Sequence, residues 1–390
     1  MKKILAVMEN PNIEIKESLK EMMSPSKVFL PIDSSALMKI TSKTVSKGEL
    51  LYINHEKKVY CPISGYIKNI VKRKNYLGEE TSYMQIQNNY QELSNYKGVD
   101  STTTIISPNL KSQILSYTYL GLSKFKNQEV LYVSGLEEEP FLENKNILHE
   151  VCASEILLMM DLLCDALNIS SSVLILKETD SKSILSFEKY KTTYPNIKVF
   201  FVPDEYPLKM NLKKYLPLKE NTPLIETNKI YDLYYEIVKG RQKDFLIFTL
   251  AGNALKKSLV LKVKIGTYLK EIMDTLNLVK EKEYNVYINS LMRGVKASLE
   301  DIYLTEDILG VFVMKKEDMK EQICQNCGKC NEVCPLKNNI YECVKTSGRK
   351  KLKTCLSCGL CSFVCPSHIN MTNYIKGKEL EHENTSSLQK

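Results

Sequence analysis

Nine of the chain's twelve cysteines fall between Cys324 and Cys365, and their spacing is that of a metal site. Cys324-Gln-Asn-Cys327-Gly-Lys-Cys330-Asn-Glu-Val-Cys334-Pro335 reads C-x2-C-x2-C-x3-C-P, and Cys355-Leu-Ser-Cys358-Gly-Leu-Cys361-Ser-Phe-Val-Cys365-Pro366 repeats it. Three cysteines two residues apart lie on a loop that curls round one iron–sulfur cube and supplies three thiolates. The fourth, followed by proline, heads away and reaches the other cube. On this reading Cys324, Cys327, Cys330 and Cys365 hold one [4Fe–4S] cluster, and Cys334, Cys355, Cys358 and Cys361 hold the second. Gly328 and Gly359 fall where the backbone passes close to the inorganic core. Paired zinc sites also use C-x2-C, but zinc calls for neither a third cysteine two residues on nor the Cys-Pro. The chemistry is therefore one-electron transfer.

The remaining cysteines read differently. Cys343 is a buried thiol on the helix that joins the two motifs, and Cys61, Cys152 and Cys164 are core thiols. Between the motifs, Arg349, Lys350, Lys351 and Lys353 read as a solvated basic loop, with docking of an acidic electron partner as the other reading.

Charge excludes one partner class. The formal net charge is +8, but the arginines are only Arg73, Arg241, Arg293 and Arg349, and the lysines are spread along the chain. Nucleic-acid readers concentrate charge and favour arginine forks, so no nucleic-acid partner is expected. Each oxidised cluster with its four thiolates adds about −2, which brings the assembled charge to roughly +4. The apolar fraction of 43% and charged fraction of 26% are those of globular protein. No apolar run approaches a transmembrane span, since Asp161 and Asp165 interrupt the best candidate, Ile156 to Leu167. Too few apolar residues follow the first lysines for a signal-peptide core. The expected location is cytoplasmic, or peripheral on the cytoplasmic face of a membrane through partners.

The elements that must position these cysteines make an α/β multidomain chain. After an N-terminal segment (1–24), residues 25–95 read as short strands. The turn at Lys47-Gly48 and the Ser64-Gly65 turn between two strands are those of a barrel-sandwich hybrid. A carrier-type lysine would sit in the hairpin Asn54–Lys58, which lacks methionine flanks, and Met38-Lys39 precedes it in the wrong place, so no carrier role is assigned. Residues 96–255 alternate strand and helix as an α/β domain. Its strands are 129–134, 172–177, 198–202 and 245–250, and its helices 147–167 and 229–238. Residues 256–316, with strands 258–264 and 284–289 about a helix at 267–276, read as a β-grasp (SLBB-like) unit. A ferredoxin-type α-helical domain (317–376) and a flexible tail (377–390) follow.

This order of parts resembles the C subunit of the Rnf electron-transport complex, over roughly residues 25 to 375. The segment 358–376 (CGLCSFVCPSHINMTNYIK) resembles that family's second cluster motif. Segments 262–272 (KVKIGTYLKEI) and 289–295 (NSLMRGV) resemble its β-grasp landmarks, and 133–144 (VSGLEEEPFLEN) its acidic signature. The resemblance implies an electron-transfer subunit of an oxidoreductase complex, with other complex or reductase subunits as partners and no catalytic residue of its own. Flavin-bearing relatives place a glycine-rich loop before that signature, because bare backbone N–H groups must approach the flavin phosphate. Here Leu115–Phe125 has the single glycine Gly121, and two tyrosines stand where glycines are needed. Glu137, Glu139 and Pro140 of the signature remain, and otherwise read as solvated carboxylates at a helix entry. The departure argues against FMN. Three functions stay open: a flavin-free electron relay, a flavin-dependent NADH-oxidising subunit, and a docking scaffold with structural clusters.

Overall fold

The computed structural model describes residues 15, 19–54, 57–91, 108–116, 121–126, 128–137, 139–208, 212, 214–216, 218, 222–316, 321–346, 352 and 354–375. His55, the tyrosines Tyr117 and Tyr119, the basic positions Arg349, Lys350, Lys351 and Lys353, and the tail lie outside them.

Strand β1 (Lys20–Glu21) joins a sheet built much later in the chain. Two antiparallel sheets then enclose one core. They comprise β2 (Lys27–Ile32), β3 (Leu37–Met38), β4 (Thr44–Val45), β5 (Leu50–Asn54), β6 (Lys57–Tyr60), β7 (Gly65–Lys74) and β8 (Glu80–Asn88). One sheet has the order β2-β8-β7-β4 and the other β3-β5-β6. The residues flanking Ser64-Gly65 do form strands, but not a hairpin: β6 pairs with β5, and β7 pairs with β4 and β8. The chain changes sheets at that turn. Val28, Leu30, Leu51, Tyr52, Met84 and Ile86 fill the space between the layers.

The α/β region follows. Helix α1 (Pro108–Leu115) leads through a 3-10 turn at Leu122–Phe125 to β9 (Val130–Ser134). Next come α2 (Asn144–Leu167), β10 (Ser171–Lys177), α3 (Ser181–Glu188), β11 (Ile197–Val202), β12 (Leu224–Glu226) and α4 (Thr227–Ile237). Helix α2 is largely buried because apolar residues recur nearly all round it, and Asn168 ends it in the left-handed region (φ 57°). The four strands are all parallel, in the order β11-β10-β9-β12. That order reverses direction between β9 and β12, the switch point where open α/β sheets bind ligands.

Strand β13 (Phe245–Ala251) is found where it is expected but in a different sheet. It pairs antiparallel with β14 (Leu259–Lys264). After α5 (Leu269–Leu276), β15 (Tyr284–Ile288) and β16 (Val295–Ala297), strand β17 (Gly310–Lys315) lies parallel to β13. The resulting order is β1-β14-β13-β17-β15-β16. A boundary at 255 therefore falls between two hydrogen-bonded strands. A strand buried on both faces reads alike in either sheet, so sequence pattern alone does not choose its partner.

The C-terminal region is short helices: α6 (Lys329–Glu332), α7 (Ile340–Lys345), α8 (Leu360–Phe363) and α9 (Met371–Ile375). Its small core combines Cys330, Ile340, Cys365, Ile369 and Met371. Among the described residues, no helix is long and apolar enough to cross a membrane.

Candidate metal centre and the crevice beside it

The two cysteine motifs fold as copies of one backbone. Asn326, Gly328 and Lys337 of the first have positive φ (57°, 73° and 53°). Ser357, Gly359 and His368, at the matching positions of the second, have φ of 51°, 79° and 53°. Each glycine caps a one-turn helix, α6 or α8. Left-handed residues in such turns gather backbone N–H groups into a concavity that receives anionic sulfur. The donors are visible: the Ser357 amide lies 3.3 Å from Cys355 Sγ, and the Asn338 amide 3.4 Å from Cys334 Sγ.

Cys334, Cys355, Cys358 and Cys361 line one cavity, otherwise walled largely by Leu336, Ile340, Leu356, Leu360 and Ile375. Cys334, four residues from Cys330 in sequence, thus shares its space with the second motif. In the first set, Cys330 feels the charges of Cys324 and Cys327, and it packs with Cys365 in one apolar cluster that Cys324, Cys334 and Cys361 also adjoin. Burial pushes the Cys361 thiol up to about 12, with the Cys358 charge adding to it. Cys330 and Cys358 move up for the same first reason. Metal binding reverses this, because only thiolates ligate. Among the described residues, no three His, Cys, Asp or Glu side chains converge closely enough to hold a single metal ion. The second quartet is spread round a cavity instead, and a sulfur-ringed, apolar, N–H-lined space fits a polynuclear cluster.

The surroundings of the two motifs differ. Cys327 is exposed, and among the described residues no atom lies within 4 Å of where a Gly328 side chain would start. Cys358 is buried, and a Cβ on Gly359 would meet the Met292 carbonyl oxygen at 2.3 Å. Cys343 is fully buried on α7, and Cys152 and Cys164 are buried on α2. Cys61 is also buried, one residue past β6, with its thiol 2.9 Å from the Ile63 carbonyl oxygen.

Glu137, Glu139 and Pro140 follow β9 at the switch point, and all three are buried. Glu137 does cap the helix entry, accepting from the Lys145 amide at 2.5 Å, but it is not solvated. Burial pushes it up to about 7 against the pull of Lys145. Lys145 Nζ donates to the Leu136 carbonyl (2.8 Å) and pairs with Glu226 Oε2 (3.0 Å) at the end of β12. His149 lies between Ser183 Oγ (3.1 Å) and Thr227 Oγ1 (2.9 Å). Its burial, with the Lys145 charge adding, lowers its pKa to about 3, so it is neutral. Lys145 with Glu226, and His149 with Thr227, thus meet beside the C-terminal ends of β9 and β12. In the loop before β9, Leu122 and Phe125 pack into the α/β core.

Glu139 turns the other way. It accepts from Arg293 Nε (2.5 Å) and Ser290 Oγ (2.6 Å), and the single Tyr206 hydroxyl hydrogen has two acceptors in reach, Glu139 Oε2 at 3.1 Å and the Cys358 carbonyl oxygen at 2.8 Å. Sequence reading gave no role to Lys145, His149, Tyr206, Ser290 or Arg293. Ser290 and Arg293 sit within the recognisable segment 289–295, whereas nothing in sequence marks Tyr206.

No family model matches the chain. In sequence it is similar to the C subunit of the proton-translocating ferredoxin:NAD(+) oxidoreductase complex of Clostridium ljungdahlii. The two are 22% identical over 232 residues, covering 55% of this chain and 50% of that one. The C subunit of the Na(+)-translocating ferredoxin:NAD(+) oxidoreductase complex of Acetobacterium woodii is 19% identical over 57% of this chain and 53% of its own. The C subunit of the ion-translocating oxidoreductase complex of Haemophilus influenzae is 23% identical over 75% of this chain and 40% of its own. The chain thus spans about half, or less, of the length of these curated relatives. Among solved structures, an air-oxidised NAD+-reducing [NiFe]-hydrogenase aligns with TM-score 0.41 at 12% identity, over 66% of this chain and 49% of that one. An overlap that low carries no argument. With its tandem cysteine motifs and this sequence similarity to several such C subunits over more than half of its own length, the chain is RnfC-like.

Proposed function

We propose that this chain is a flavin-free, RnfC-like electron relay. It passes single electrons through two [4Fe–4S] clusters between a soluble donor or flavoprotein and a membrane or reductase partner. The observation that carries the reading is the cavity shared by Cys334 and the three cysteines of the second motif. Cys324, Cys327, Cys330 and Cys365 would hold the other cluster. When bound, each cluster supplies reversible one-electron transfer. The residues contribute its setting: N–H donors to sulfur, an apolar wall, and a second loop pinned against the body. Exposed Cys327, with the 91%-exposed Ile323, and exposed Cys355 support partner access to both motifs. Partners would be other electron-transport or reductase subunits, with peripheral membrane association through them. The two N-terminal sheets fit a barrel-sandwich hybrid, and the six-stranded sheet with α5 fits a β-grasp unit enlarged by β1 and β13.

The strand order β11-β10-β9-β12, which creates a ligand-binding switch point, favours a second reading, a flavin-dependent NADH-oxidising subunit. Lys145, Glu137, Glu226 and His149 gathered beside that point, with the lone glycine of 115–125, favour the first.

Anaerobic purification with iron and flavin analysis tests both. The expected result is about eight iron atoms per chain, a brown absorbance bleached by dithionite, and no stoichiometric FMN. About two zinc ions and no iron would end the cluster reading, FMN near one per chain would promote the NADH-oxidising one, and clusters that dithionite fails to reduce would point to a docking scaffold.

A further inference from the structure

The two cysteine motifs share one backbone yet meet different surroundings. Among the described residues no atom lies within 4 Å of a Cβ placed on Gly328, whereas the Cys358–Gly359 turn is clamped by groups from two other parts of the chain. From the α/β region come Glu139, after β9, and Tyr206, after β11. Both leave the C-terminal ends of parallel strands, the edge at which such sheets bind ligands. From the six-stranded sheet comes the turn after β15. There Ser290 Oγ accepts from the Met292 and Arg293 amides (2.9 and 3.2 Å), which holds the Met292 carbonyl against Gly359.

Tyr206 is the polar contact to the cluster loop in this clamp. Its hydroxyl has one hydrogen and two acceptors, the Cys358 carbonyl oxygen at 2.8 Å and Glu139 Oε2 at 3.1 Å. Glu139 also receives Arg293 Nε and Ser290 Oγ, so its charge is already balanced and the tyrosine hydrogen is left to the shorter, carbonyl contact. A trans peptide whose C=O is fixed on one side has its N–H fixed on the other. The Cys358–Gly359 peptide lies in the turn that carries Cys358 and follows the Ser357 amide, which lies 3.3 Å from Cys355 Sγ of the same cluster set. Hydrogen bonds to ligand sulfur stabilise the reduced, more negative state of an iron–sulfur cluster.

We propose that Tyr206, braced by the Glu139–Arg293 pair, is a positioning residue. It fixes the Cys358–Gly359 turn and raises the reduction potential of the second cluster relative to the first. The inference rests on the two-cluster reading above.

The test is a potentiometric titration of the full chain followed by paramagnetic resonance, with the two signals assigned through Cys327→Ser and Cys358→Ser. Tyr206→Phe keeps the ring and removes the donor. It should keep its iron and move only the second cluster to more negative potential. Arg293→Gln leaves the Glu139 charge unbalanced, drawing the tyrosine hydrogen away, and should shift the same cluster in the same direction, while Arg293→Lys restores it. Should Tyr206→Phe fail to assemble, the two Arg293 variants decide. Two clusters in the parent with potentials unchanged, or shifted equally, in the variants would overturn this inference and leave the relay standing. A parent without clusters overturns both.

Discussion

Cys334 is the residue whose neighbours in sequence and in space disagree most usefully. It closes the first motif, yet its cavity is that of Cys355, Cys358 and Cys361. Cys334→Ser should therefore perturb the same paramagnetic signal as Cys358→Ser, and Cys365→Ser the signal touched by Cys327→Ser. Serine oxygen is a harder, poorer iron ligand, so a lowered potential or loss of one iron is the expected form. If Cys334→Ser and Cys327→Ser altered one cluster and spared the other, the crossed arrangement would be wrong. His149 makes a different residue-scale prediction. Its folded pKa of about 3 lies below the ordinary 6.5, so as pH falls the unfolded chain takes the proton first. The contribution of neutral His149 is complete above pH 6.5 and is lost on the way to 3, by about 1.4 kcal/mol per pH unit. Urea midpoints at pH 7.5 and 5 should show the parent losing more stability than His149→Gln; an equal loss would contradict the burial argument.

At the scale of the element, the two cysteine turns are a matched pair with one variable changed. Gly328 and Gly359 share a left-handed φ, so alanine at either costs about 1–2 kcal/mol in backbone strain. Only at Gly359 would the added methyl also meet backbone, the Met292 carbonyl. Gly328→Ala should lower the melting temperature modestly. Gly359→Ala should cost more and disturb the second cluster, because the 289–294 turn has to move. Equal losses in the two melting curves would mean that the clamp is not rigid. The helix entry at Glu137 follows the same logic. Sequence marks an acidic group before an apolar helix, but the burial of that carboxylate depends on β12, nearly ninety residues away, bringing Glu226 beside Lys145.

At the scale of the molecule, β13 ties the α/β region to the six-stranded sheet. Phe245 packs in the α/β core, while Leu246, Phe248 and Leu250 belong to the core of the sheet that β13 joins. A fragment ending at residue 255 keeps this apolar strand and removes both its partners, β14 and β17. Unpaired apolar edges template association. Size-exclusion chromatography should show fragment 96–255 aggregating and fragment 96–316 monomeric. A monomeric shorter fragment would show that the α/β region covers β13 unaided.

By itself the sequence pointed to the chemistry and marked most of the elements. The cysteine spacing encodes local loop geometry, and strand and helix periods are properties of adjacent residues. For this reason Asn144–Leu167, Ser171–Lys177 and Tyr284–Ile288 fall within a few residues of the expected spans. Strand partnership was not legible, since β13 carries the same apolar run whichever sheet it enters, and β12 and β17 are too short or too uniform to announce themselves. Nor was the grouping at the switch point, which sets Lys145 and His149 of one helix beside the Glu226–Thr227 stretch, with Glu226 81 positions from Lys145. The link from Glu139 through Tyr206 to the Cys358 carbonyl was decided only by tertiary structure. Its hydrogen bonds span 67 and 152 positions of sequence, and contacts at that separation leave no local pattern to read.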